Sequence, residues 1–77
     1  MWYITFSRPK TIGVYNERKF ALDDLQDMLD FAWSTIDSYK ASGWTITREV
    51  GRVAGWWKCE NPYSGDVLLI QFARLDD

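Results

Sequence analysis

The apolar positions of this chain fall into two rhythms, and the switches between them divide it into elements. From Trp2 to Ser7 the pattern alternates, with Trp2, Ile4 and Phe6 on one parity and Tyr3, Thr5 and Ser7 on the other. Period two in β-forming residues predicts a strand, and Pro9, which has no N–H for a ladder, ends it. Ile12 to Tyr15 could form a short second strand, after which Asn16 and Glu17 would turn the chain.

From Leu22 to about Ala41 the rhythm changes. Leu25, Met28, Leu29, Ala32, Ile36 and Tyr39 recur every three or four residues, a spacing that places them on one stripe of a helix. Asp23 and Asp24 stand near its start, where the helix dipole favours anions. Lys40 stands near its end, and Gly43 is a natural C-terminal stop.

Beyond Gly43 alternation returns. Trp44, Ile46, Arg48 and Val50 share a parity opposite to Thr45, Thr47 and Glu49. Gly51 and Gly55 bracket an expected turn or bulge, and Trp56 to Glu60 reads as a further strand. Asn61-Pro62-Tyr63-Ser64-Gly65 is a hairpin signal, with Pro62 suited to a type I turn and Gly65 to the left-handed closing position. Asp66 to Arg74 is the last expected strand, and Asp76 and Asp77 a frayed end.

One amphipathic helix beside a set of strands predicts an α+β fold, a two-layer sandwich with a three- to four-stranded, mainly antiparallel sheet in the order β-(β)-α-β-β-β. The expected inward set is Ile4, Phe6, Ile46, Trp57, Cys59, Leu68, Ile70 and Phe72, facing the helical stripe. The whole chain, residues 1–77, reads as one domain, because 77 residues leave no room for two. So short a chain hides only about 60–65% of its surface on folding. Its five Trp, four Tyr and four Phe answer that need for bulky core residues.

The candidate chemistry is sparse. With no histidine, the chain lacks the most frequent general base and metal ligand. A lone cysteine, Cys59, forms no internal disulfide and no zinc site. No phosphate-binding loop and no nucleophile elbow is present. A non-catalytic protein with no metal and no cofactor is therefore expected. The longest apolar run is Val67 to Ile70, far short of the ~20 residues that span a bilayer. The scarcity of cysteine and the lack of a leader pattern predict a cytoplasmic protein.

Charge changes the picture more than composition does. The net is −2, but residues 1–20 carry Arg8, Lys10, Arg18 and Lys19 against one acid, Glu17, whereas residues 21–43 carry five aspartates against Lys40. Asp23, Asp27, Asp30 and Asp37, with Asp24 at the margin, fall opposite the apolar stripe and are interleaved with no Lys or Arg. An exposed helix usually mixes signs and gains i,i+4 pairs. Phe31 falls about 120° from the centre of the stripe, at 3.6 residues per turn. An aromatic anchor beside a row of carboxylates suits docking on a basic protein surface. Such a row can also imitate a phosphate backbone.

The expected outward sheet face is the second candidate, with Tyr3, Thr5, Thr45, Thr47, Glu49, Trp56, Lys58, Val67, Leu69 and Gln71. Trp56 and Trp57 are adjacent and cannot both face the helix. Val67 to Ile70 is apolar on both parities, as in a strand covered on both sides. The cover could be the 8–20 segment, a second copy of the chain or a partner. Tyr3, Trp56, Lys58 and Leu69 mark this surface, which could also stack single-stranded bases, with Arg8, Lys10, Arg52 and Lys58 holding the backbone.

Three readings result. The leading one is a small module that binds a basic protein partner through Asp23, Asp27, Asp30, Phe31 and Asp37. Phage-encoded inhibitors of host defence, CRISPR systems included, share this size and charge, which is an analogy and not a motif match. The second is single-stranded nucleic-acid binding, disfavoured by the acidic net charge. The third is a homodimer or assembly subunit.

Overall fold

A computed structural model describes residues 1–8 and 16–74. Five strands and one helix follow in the order β1 (Trp2–Arg8), β2 (Asn16–Leu22), α1 (Leu25–Ala41), β3 (Thr45–Val50), β4 (Ala54–Glu60) and β5 (Val67–Arg74). The strands form a single antiparallel sheet in spatial order β2-β1-β5-β4-β3. The helix leaves the β2 edge and returns the chain to the β3 edge. Its 17 residues rise about 25 Å, enough to cross the roughly 19 Å spanned by five strands at 4.8 Å spacing. The fold is the expected α+β sandwich.

The strand count is five rather than three or four, and the second strand is not where alternation placed it. Asn16 and Glu17 do not turn the chain; they pair with Arg8 and Ser7 of β1, and the ladder continues to Leu22 opposite Trp2. Residues 12–15 lie outside the described residues, as do Asp76 and Asp77. The polar Asn-Glu-Arg-Lys start of β2 has weak strand propensity, and its extension comes from pairing with β1, a long-range constraint that no local pattern carries. Losing Leu22 to the strand moves the helix start to Leu25. Asp24 is the N-cap, with extended φ/ψ and a carboxylate that accepts the Gln26 amide at 2.9 Å.

The other end closes as a Schellman motif. Gly43, at φ +89°, donates to the Lys40 carbonyl, and Trp44 donates to that of Tyr39. The rings of Tyr39 and Trp44 meet edge-on at 4.7 Å, supplying the apolar contact that usually accompanies the motif. The β4–β5 hairpin is fixed by Asn61, whose side-chain oxygen accepts the amides of Tyr63 and Ser64, and by Gly65 at φ +77°.

The core lies between helix and sheet. Met28, Ala32 and Ile36 of α1 are buried against Trp2, Ile4, Trp57, Cys59, Leu68, Ile70 and Phe72, with Phe6, Ile46, Leu29 and Tyr39 half-buried around them. All eight residues of the expected inward set face the helix, and Trp2 joins them. Leu25, placed in the stripe by spacing, is exposed at the open first turn. Gly55 does not end a turn. It sits inside β4, between Val50 and Phe72 on the neighbouring strands, and its missing side chain makes room for the Phe72 ring.

Candidate functional site: an acidic helix ridge

The buried stripe of α1 fixes what the opposite side presents. At 100° per residue, the direction opposite the centre of Met28, Ala32 and Ile36 falls among Asp27, Asp30, Ser34 and Asp37. All three aspartates are exposed, and about 15 Å of helix axis separates Asp27 from Asp37. Asp23 is exposed but lies in the bend before the cap, off the helix whose face defines the ridge. Asp24 is held in the cap and Asp30 accepts the Gln26 side-chain amide at 2.9 Å. Among the described residues, no hydrogen bond or ion pair engages Asp23, Asp27 or Asp37, and the one salt bridge, Lys58 to Glu60, lies on the far side of the sheet. Among the described residues these carboxylates therefore have no counter-charge in contact, a modestly unfavourable arrangement for the fold.

Phe31 sits at the edge of the acidic face. It is 37% exposed, and its ring packs in a tilted arrangement 5.3 Å from Phe6 and 4.9 Å from Phe20, closing the core over β1 and β2. The opposite shoulder carries a residue that the spacing argument passed over. Trp33, 40% exposed, lies edge-on at 6.1 Å to the buried Trp57. It falls outside the three-and-four stripe, and only the width of the sheet beneath the helix explains why a large ring settles there. The ridge is thus a row of acids with a half-embedded aromatic on each flank.

The outer sheet face holds the remaining candidates. Across it, Thr5, Gln71 and Trp56 stand in one row, Ser7, Leu69 and Lys58 in the next, and Tyr3, Ala73 and Ala54 in a third. Tyr3, Trp56, Lys58, Val67 and Leu69 are each half-buried. Ser7 is 7% exposed, so the face is most open at its other end. There, Ala54, Gly55 and Ala73 leave a trough of about 830 Å³ between Tyr3, Trp56, Glu49 and Val50. The cations expected here are not gathered on it. Arg8 has the other parity and donates to the Tyr39 hydroxyl on the helix side, its guanidinium 5.9 Å from that ring. Lys10 lies outside the described residues, Arg52 is in the β3–β4 turn, Lys58 is paired with Glu60 at 3.7 Å, and Glu49 stands beside Trp56.

Cys59 is fully buried, and burial pushes its thiol pKa up, away from the reactive thiolate. Among the described residues, no three His, Cys, Asp or Glu side chains gather as a metal site, and no helix is long and apolar enough to cross a membrane. Compared with known proteins, the chain matches no family model, no curated protein and no solved structure. The functional reading rests on its own residues.

Proposed function

We propose that this chain is a small, non-catalytic protein-binding module that lays the α1 ridge onto a basic surface of its partner. The observation that carries the reading is the row Asp27, Asp30 and Asp37, exposed, opposite the buried stripe of α1 and, among the described residues, with no counter-charge in contact; Asp23 stands exposed just before the helix. A partner's Lys and Arg side chains would supply the missing charge, speeding encounter and fixing register. Phe31 and Trp33 would add apolar contact at the flanks. A basic groove built to hold phosphate is the surface such a row fits best, so inhibition of a nucleic-acid-handling complex is the favoured role.

The test is the double variant Asp27→Lys with Asp30→Lys, compared with the wild type in a pull-down from the native host. Both side chains are exposed and neither caps the helix, so the fold should survive, as judged by circular dichroism. The captured basic partner should be lost. Equal recovery of that partner by the folded variant refutes the reading.

A second reading, single-stranded nucleic acid stacked on Trp56 and Tyr3, is favoured by the open trough at those two rings. It predicts that an oligonucleotide at low salt quenches the fluorescence that a Trp56→Phe variant lacks. An unchanged Trp56 signal dismisses it.

A further inference from the structure

We draw no further inference here: the strongest candidate, the open trough over Ala54, Gly55 and Ala73 on the outer face of the sheet, carries nothing further because nothing in the structure shows what covers that face.

Discussion

Replacing Gly55 by alanine probes the tightest backbone approach in the core. A methyl group placed there would stand 2.7 and 2.9 Å from two carbons of the Phe72 ring and 2.8 Å from the Glu49 carbonyl oxygen. The carbonyl belongs to the β3–β4 ladder and has little room to yield. The ring would have to move, but Phe72 is wedged between Trp2, 6.1 Å away, and Trp57, 5.2 Å away. Overpacking of this kind costs about 2–3 kcal/mol. Alanine recovers about 0.5–1 kcal/mol of backbone entropy in a strand, so the net loss should be about 1–2.5 kcal/mol. For a domain of this size that corresponds to a fall in Tm of roughly 5–20 °C. Urea and thermal unfolding followed by near-ultraviolet circular dichroism would read it, since the signal comes from the tryptophans that the shift disturbs. Combining Gly55→Ala with Phe72→Leu should cost at least about 1 kcal/mol less than the two single losses added together, because the smaller side chain vacates the space. If Gly55→Ala is within about 0.5 kcal/mol of the wild type, the close approach is not a constraint and the reasoning fails.

Two further predictions concern the helix start and the buried thiol. Asp24→Ala removes the cap bond to Gln26 and should cost about 1 kcal/mol in urea unfolding, whereas Asp37→Ala, on the ridge and engaged by no bond, should change stability by less than about 0.5 kcal/mol. Cys59 should resist a thiol reagent in native protein and react at once in urea. Because burial holds its pKa above the unfolded value, its contribution to stability is complete below about pH 8.5 and should be lost as the pH rises from there toward the higher folded pKa, a fall that Cys59→Ala would lack.

The parts of the fold legible in the sequence are those with a local cause. Alternation marked β1 and β3; the turn residues on either side set off β4 and β5; the three-and-four spacing marked α1; Gly43 and Gly65 marked the two places among the described residues where φ is positive. Each follows from what a residue can do among its near neighbours. The misread stretch is Asn16–Leu22, whose strand exists because β1 offers it a partner, and whose capture of Leu22 shifted the helix start by three residues. Gly55 was misread for a related reason. Glycine near a turn usually makes the turn, but here it makes room for a ring on the next strand, and only the register exposes that.

The candidate site divides the same way. The acidic ridge was legible because a helix buries one face and so dictates the other. The role of Phe31 was not, because an edge position on a helix becomes core or surface according to how far the sheet beneath extends. β2 extends it, bringing Phe20 under Phe31, and the same breadth brings Trp57 under Trp33. That extra strand also enlarges the opposite face of the sheet. The β1–β2 pairing therefore embeds one aromatic flank of the ridge, Phe31, while β4 supports the other, Trp33, and the carboxylates between them are left as the freely presented groups. The two faces of the fold thus differ in charge pattern: Asp27, Asp30 and Asp37 line the helix ridge, whereas Lys58 stands with Glu49 and Glu60 on the outer side of the sheet.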